Sequence, residues 1–94
     1  MTDLSSSSDV LSKEELRTLR KRANLTQSEM AVEMGHSFRA YQDIETGVAH
    51  LRAIHIAAIE RASLRLAIAK RDLNLALPAI RQDALKFSDL VMRG

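Results

Sequence analysis

The side chains best suited to metal binding or acid–base chemistry in this chain are three histidines, His36, His50 and His55. His50 and His55 are five residues apart, whereas ligands on one helical face are three or four residues apart. Zinc sites gather several clustered ligands, and the chain has no cysteine to supply them. No nucleophile is placed with a base, no phosphate-binding loop is present, and Tyr41 is expected in the core. The sequence therefore predicts neither an enzyme nor a metal site, and it implies no cofactor.

The charged side chains are spread unevenly along the chain. The net charge is +2, but residues 1–47 carry a net charge of −2 and residues 48–94 a net charge of +4. In the first half, the basic side chains gather at Arg17 and in the run 20–22. Nucleic acids bind where positive charge is concentrated. The low net charge argues against a nonspecific architectural DNA-binding protein.

Signals for helix starts divide the first half into three short helices. In a capping box, a hydroxyl and a carboxylate three residues apart each accept a free backbone N–H. The start signals are Ser12 with Glu15, Thr26 with Glu29, and Ser37 alone. Gly35 and Gly47 are suited to helix ends because glycine adopts the left-handed conformation readily. The predicted helices span residues 12–23, 26–34 and 37–46.

The second half is predicted to contain one long helix and one shorter helix. The long helix begins at Leu51 and breaks between residues 74 and 78, where Pro78 opens the last helix because proline suits a first turn but not a helix interior. The long helix has two apolar faces, so burial on more than one side is expected. The first face comprises Leu51, Ile54, Ala58, Ala62, Leu66, Ala69 and Leu73, and the second Ile56, Ile59 and Ile68. The last helix carries Leu77, Ile80, Ala84, Phe87 and Val91 at spacings of three and four.

Two short helices joined by a tight glycine turn form a helix-turn-helix unit. The stretch 25–35, LTQSEMAVEMG, and the later Ile-Glu-Thr-Gly at 44–47 closely resemble the phage-repressor-type (XRE-like) helix-turn-helix family, over about residues 14–64. The resemblance implies an all-α, lambda-repressor-like helix-turn-helix bundle of about five helices. The expected organisation is a flexible tail (1–11), a helix-turn-helix domain (12–73) and a C-terminal helix (74–94) that packs on the domain or dimerises.

The resemblance also implies which residues bind DNA. Gln27 matches a position that contacts the DNA backbone, and residues 37–46 match the recognition helix, which lies in the major groove. The exposed face of that helix is expected to comprise Ser37, Phe38, Arg39, Gln42 and Asp43. In this reading Arg39 binds guanine, Gln42 binds adenine and Phe38 meets a thymine methyl. The expected phosphate contacts are Arg17, Lys21 and Arg52.

Two further expectations concern contacts within and between chains. The resemblance implies that Glu45 either forms a structural ion pair, with Arg17 or Arg20 as its partner, or has a role at the helix end. The C-terminal stripe either folds back on the domain or forms a two-fold dimer interface, and we favour the dimer because a small core does not need all this apolar surface. The residues predicted for dimerisation are Leu66, Leu73, Leu77, Ile80, Phe87 and Val91.

Together these features predict a cytoplasmic transcriptional regulator. It is expected to be a repressor that binds a short palindromic operator in double-stranded DNA as a homodimer. No signal peptide or membrane-spanning run is recognised in the sequence, so no membrane association is expected. The alternative is a protein-binding helix-turn-helix module, either an antiactivator that sequesters a transcription factor or an antitoxin that binds a toxin, because fold alone does not fix function.

Overall fold

The structure of the protein is a computed structural model that describes residues 11–94. Over this range it contains five α-helices and one short 3-10 helix and no strand. In chain order these are α1 (Lys13–Arg22), α2 (Gln27–Met34), α3 (Phe38–Thr46), α4 (Ala53–Lys70), the 3-10 helix (Leu73–Leu75) and α5 (Pro78–Arg93). The predicted all-α, lambda-repressor-like bundle is confirmed.

The first three helices begin at the predicted capping residues, and α2 and α3 also end at theirs. Two complete capping boxes are present, Ser12 with Glu15 before α1 and Thr26 with Glu29 before α2. Before α3, the Ser37 hydroxyl accepts the Ala40 N–H at 3.1 Å. Gly35 and Gly47 close α2 and α3 with positive φ angles of 72° and 90°. Local sequence therefore determines the boundaries of these helices along the chain.

The core forms where α1, α2, α3 and α4 meet. Its largest apolar members are Leu16, Met30, Tyr41, Ile44 and Ile59, all fully or almost fully buried. Leu11 is also buried, although the sequence assigned it to the flexible tail. The core therefore extends one residue beyond Ser12, and the remaining tail residues, 1–10, lie outside the described range.

The long helix α4 is shorter than predicted. It begins at Ala53 instead of Leu51, and it ends at Lys70, where Arg71 adopts a left-handed conformation with φ of 54°. The chain then forms the 3-10 helix, which buries Leu75 and Ala76 in the core. The Leu77 N–H donates to the Ser63 hydroxyl at 3.1 Å and fixes the start of α5 to α4. The break near residues 74–78 is present, with Pro78 in the first turn of α5, but it starts at Arg71.

The burial of α4 and α5 corrects several sequence assignments. Ile54 and Ile68 are exposed, so α4 is not buried on two complete faces. Leu66 is buried in the core of a single chain, so it does not supply surface for a second chain. Leu73, which was placed on the same helical stripe, lies beyond the end of α4 and is exposed. Within residues 11–94, no helix is both long and apolar enough to cross a membrane.

Candidate nucleic-acid interface

A buried carboxylate, Glu45 near the end of α3, holds three helices together. Only 3% of its side chain is exposed. Arg20 of α1 donates to both carboxylate oxygens, from Nε at 2.8 Å and from Nη2 at 3.1 Å. Gln27 of α2 donates from Nε2 at 2.7 Å, and the Tyr41 hydroxyl donates from the preceding turn of α3. The predicted ion pair of Glu45 is therefore present, with Arg20 as its close partner.

The charge state of Glu45 follows from these contacts. Burial alone disfavours a carboxylate and raises its pKa, but the hydrogen bonds from Arg20, Tyr41 and Gln27 outweigh burial and lower the pKa of Glu45 to about 2. The hydrogen bond to Glu45 raises the pKa of the Arg20 guanidinium. Burial, helped by the bond to Glu45, raises the pKa of Tyr41. At neutral pH the cluster is therefore a carboxylate surrounded by donors, which fixes the position of α3.

The turn between α2 and α3 is short and well connected. Gly35 takes the left-handed conformation that ends α2, and a Cβ atom there would meet no other atom within 4 Å. The next residue, His36, donates from Nδ1 to the Met34 carbonyl at 3.0 Å. Its ring also meets the His55 ring of α4 edge to face, with 5.5 Å between centroids. Both histidine rings therefore make contacts within the protein. No cluster of three metal-ligating side chains occurs within residues 11–94.

The outer face of α3 carries most of the residues predicted to meet bases. Ser37, Phe38 and Arg39 are exposed, and Gln42 and Asp43 are partly exposed. The Arg39 side chain is 84% exposed, and its Nε lies 3.5 Å from an Asp43 carboxylate oxygen one turn further along the helix. Arg39 is thus free to leave this pair, because a surface ion pair contributes little free energy.

The residues predicted to meet phosphates are in different environments. Arg17 lies beside Glu45, where its Nη2 donates to the Glu45 carbonyl at 3.3 Å, and 44% of its side chain is exposed. Gln27 lies in the same cluster, half-buried, with Glu45 as its only side-chain hydrogen-bond partner among residues 11–94. Lys21 and Arg52 are exposed at the end of α1 and just before α4. The structure therefore brings Arg17 and Gln27 together, but no contact joins Lys21 or Arg52 to them.

Two features of this region were not predicted from the sequence. The bond from the Tyr41 hydroxyl to Glu45 was missed, although the spacing of four residues on one helix was a usable signal. Lys13 was also missed: a Cβ at Gly47 would lie 2.6 Å from the Lys13 ammonium nitrogen. A cation there is favourable because Gly47 lies at the negative end of the α3 helix dipole.

Among known proteins, a family model described as helix-turn-helix matches residues 16–62, half of the chain, and covers α1 from Leu16 onward, α2, α3 and the first part of α4. No curated protein and no solved structure matches the chain significantly.

Proposed function

Because the chain belongs to the XRE-like helix-turn-helix family of DNA-binding transcription regulators, we propose that it is a cytoplasmic repressor that binds a short palindromic operator. The observation that carries this proposal is the contrast between the two faces of α3. Tyr41, Ile44 and Glu45 on the inner face are buried, whereas the outer face presents polar side chains to solvent. A helix held this firmly presents its outer side chains in a fixed arrangement, as base recognition requires.

We assign base recognition to Arg39 and Gln42. A guanidinium makes two hydrogen bonds to guanine and a carboxamide makes two to adenine in the major groove. Phe38, at the start of α3, contacts a thymine methyl group, and Ser37 donates its hydroxyl to a neighbouring phosphate or base. Asp43 holds Arg39 in the absence of DNA and accepts a hydrogen bond from cytosine in the complex.

Phosphate contacts position the domain on the duplex. Arg17, Lys21 and Arg52 supply the positive charge, and Gln27 uses its second amide N–H while the first stays bonded to Glu45. Such contacts are independent of sequence and release counterions, so they make the affinity strongly dependent on salt.

The repressor acts as a homodimer. A palindromic operator presents two half-sites one helical turn apart, and a two-fold dimer places one α3 helix in each. The exposed Leu73, Phe87 and Val91, together with the half-buried Leu77 and Ile80, are the remaining residues for the dimer contact. Occupation of the operator blocks access to the promoter, which is repression.

A protein-binding role is the second candidate, and one specific observation favours it. The exposed face of α5 is apolar, and such faces bind proteins rather than DNA. In this alternative the chain is an antiactivator that captures a transcription factor, or an antitoxin that captures a toxin.

A gel-shift experiment with the purified chain and the DNA upstream of its own gene separates these functions. Excess nonspecific competitor DNA and a salt series are included, and circular dichroism verifies that the protein is folded. An operator-binding repressor gives a discrete band that survives competitor and weakens as salt rises. A folded protein that gives no shift from low to physiological salt contradicts the repressor, and affinity capture with candidate transcription factors and toxins then tests the alternative.

A further inference from the structure

An apolar groove lies between the end of α4 and α5. Its volume is about 610 Å³, within the roughly 300–1,000 Å³ of small-molecule sites. Its walls are mainly apolar and include Leu64, Ala67, Ile68, Ala84 and Leu85. Ile68 and Leu85 are 70% and 65% exposed in the single chain. The groove therefore offers a small molecule apolar surface that the rest of the chain leaves uncovered.

Two arginines lie at one end of this groove. Arg71 and Arg81 both line it, and both lie beside the link between the two helices, residues 71–77. Arg71 begins this link, and Arg81 Nη2 donates to the carbonyl of Ala76 within it at 3.1 Å. Leu64 lies further from the link, about two helical turns or roughly 10 Å before Arg71 along α4. The groove thus has a cationic end and an apolar body.

The positive charge at this end is not neutralised by the chain itself. Neither Arg71 nor Arg81 forms an ion pair within residues 11–94. The carboxylate on the groove wall, Asp72, caps the 3-10 helix, where its Oδ1 accepts the Asn74 N–H at 3.0 Å. Arg81 Nε is buried and has no hydrogen-bond partner among the described residues. Buried donors without a partner are uncommon in proteins, which indicates that an acceptor belongs at this wall.

We propose that the groove binds an anionic amphiphile, a small molecule with a carboxylate head and an unbranched alkyl chain. The carboxylate lies between Arg71 and Arg81, whose guanidinium groups match a planar carboxylate and donate charge-assisted hydrogen bonds to it. The alkyl chain lies along Ala67, Ile68 and Leu85, and its burial supplies most of the affinity. A neutral apolar molecule leaves the arginines unpaired, and an inorganic anion leaves the apolar walls uncovered.

This site is separate from the recognition helix and largely separate from the proposed dimer contact. At 100° per residue, Arg81 and Leu85 face a different side of α5 from Ile80 and Phe87. Leu73 is shared between the groove wall and the dimer contact. A molecule in the groove therefore leaves the outer face of α3 and most of the dimer contact uncovered. The site goes beyond the proposed function and does not depend on DNA binding.

Isothermal titration calorimetry of the full chain with decanoate, kept below its micellar concentration, measures the affinity. We expect saturable binding with a dissociation constant below about 1 mM. Hexanoate, which has the same head and a shorter chain, should bind at least about 10-fold more weakly, since each buried methylene strengthens binding roughly fourfold. Decylammonium, with the same chain and the opposite charge, should lose about as much. Equal affinities for decanoate and decylammonium, or no saturable binding of decanoate, overturn the proposal.

Two substitutions test the arginines separately. Arg81→Met keeps an unbranched side chain without the charge, and Arg71→Asn removes the charge at a left-handed position that asparagine tolerates. Each should weaken decanoate binding about 10-fold, because a hydrogen bond between charged groups is lost. The matched control is Arg93→Met, which removes an exposed arginine of α5 that does not line the groove. It should leave the affinity unchanged.

Circular dichroism verifies that each variant is folded. If Arg81→Met does not fold, Arg71→Asn decides, because the Arg71 side chain is exposed and makes no hydrogen bond within residues 11–94. An unchanged decanoate affinity in the folded variants overturns the assignment of the carboxylate to these arginines.

Heteronuclear magnetic resonance of the labelled chain locates the bound molecule. Decanoate should shift the backbone amide signals of Ala67, Leu85 and Ser88, and it should also shift the Nε–H signal of Arg81, which a merely structural arginine would not show. Signals from α1, α2 and α3 should stay in place. Shifts spread over the whole chain contradict a defined site.

Two further outcomes are distinguishable in the same spectra. Groove signals that depend on protein concentration and do not respond to decanoate indicate that a second copy covers the groove, which overturns the proposal. DNA takes no part in these measurements. A chain that binds decanoate but gives no gel shift contradicts only the repressor, whereas a chain that gives a specific shift but does not bind decanoate contradicts only this site.

Discussion

Helices α3 and α5 are both amphipathic, but they differ in how much of the apolar face is buried within the chain. The inner face of α3 packs on α1 and α2 and is fixed by the Glu45 cluster, and its outer face is polar apart from Phe38. The inner stripe of α5 is only half covered, and its bare part is apolar. A helix whose apolar face is fully buried is suited to present polar groups on its other face to a ligand. A helix whose apolar side is open needs a protein surface.

The strongest test of this comparison is the removal of the charge that fixes α3. Glu45→Ala leaves the largely buried Arg20 without its carboxylate and Tyr41 and Gln27 without their acceptor, and breaking a buried pair in this way costs about 3–5 kcal/mol. We expect a loss of that size in the free energy of unfolding measured with urea. The control is Glu14→Ala on the exposed side of α1, which should change it by about 0.5 kcal/mol or less. Equal effects would contradict a special role for Glu45.

The dependence on salt should distinguish DNA binding through α3 from association through α5. With three phosphate contacts in each copy, from Arg17, Lys21 and Arg52, the operator affinity should fall roughly 1,000-fold between about 50 and 200 mM salt. Association through α5 is apolar, so the dimerisation constant should change little over the same range. Fluorescence anisotropy with labelled DNA and sedimentation equilibrium provide the two measurements. A flat DNA response would show that these basic side chains do not meet phosphates.

Protonation of Glu45 at low pH should destabilise the fold less than the Glu45→Ala substitution does. The pKa of Glu45 is lowered from its ordinary 4.5 to about 2 in the folded chain, so its stabilising contribution is present above pH 4.5 and is lost as the pH falls towards 2. The protonated carboxyl still accepts hydrogen bonds, which limits the loss. Urea unfolding between pH 6 and 2 measures it, and Glu45→Gln should remove most of the pH dependence. An unchanged slope in that variant would assign the effect to other carboxylates.

Base recognition by the outer face of α3 is tested at Arg39. We expect Arg39→Ala to weaken operator binding by about 1–3 kcal/mol and to relax the preference for one base pair. Stability and dimerisation should be unaffected, since the side chain is exposed. Arg93→Ala, which removes the same charge from α5, is the control. Similar losses of operator affinity in both variants would show that Arg39 contributes only general electrostatic attraction to DNA.

The smallest effect is expected at Asp43. Asp43→Asn breaks the exposed pair with Arg39, which should change stability by only a few tenths of a kcal/mol. It also removes a negative charge from the surface that meets phosphate, so affinity for DNA of any sequence should rise modestly. A fall in affinity at the operator alone would instead support the hydrogen bond from cytosine.

Features determined by neighbouring residues were predictable from the sequence. The starts of α1, α2 and α3 follow from the capping hydroxyls directly before them, and the ends of α2 and α3 follow from Gly35 and Gly47. The ion pair of Glu45 was also expected, but through resemblance to a family. Base recognition by Arg39 and Gln42 stays a prediction, which the gel-shift and mutant experiments test.

Features determined by distant contacts were not predictable. No glycine or proline marks the end of α4, and Arg71 takes a left-handed conformation where Leu75 and Ala76 enter the core and Ser63 binds Leu77. The periodic leucines continue through this break, so periodicity alone placed Leu66 and Leu73 on one face. Only the packed structure separates the buried Leu66 from the exposed Leu73.

The Glu45 cluster also has an evolutionary consequence. Arg20, Gln27 and Tyr41 converge on one carboxylate from three different helices, so replacing Glu45 or Arg20 leaves buried polar groups without a partner, and replacing Gln27 or Tyr41 removes one of the bonds that stabilise the carboxylate. A lineage that changes one of these four positions must pass through a less stable ancestor, or change several positions within a short time. Related sequences should therefore keep all four residues or exchange them as a set, while the outer positions of α3 diverge independently as operators diverge.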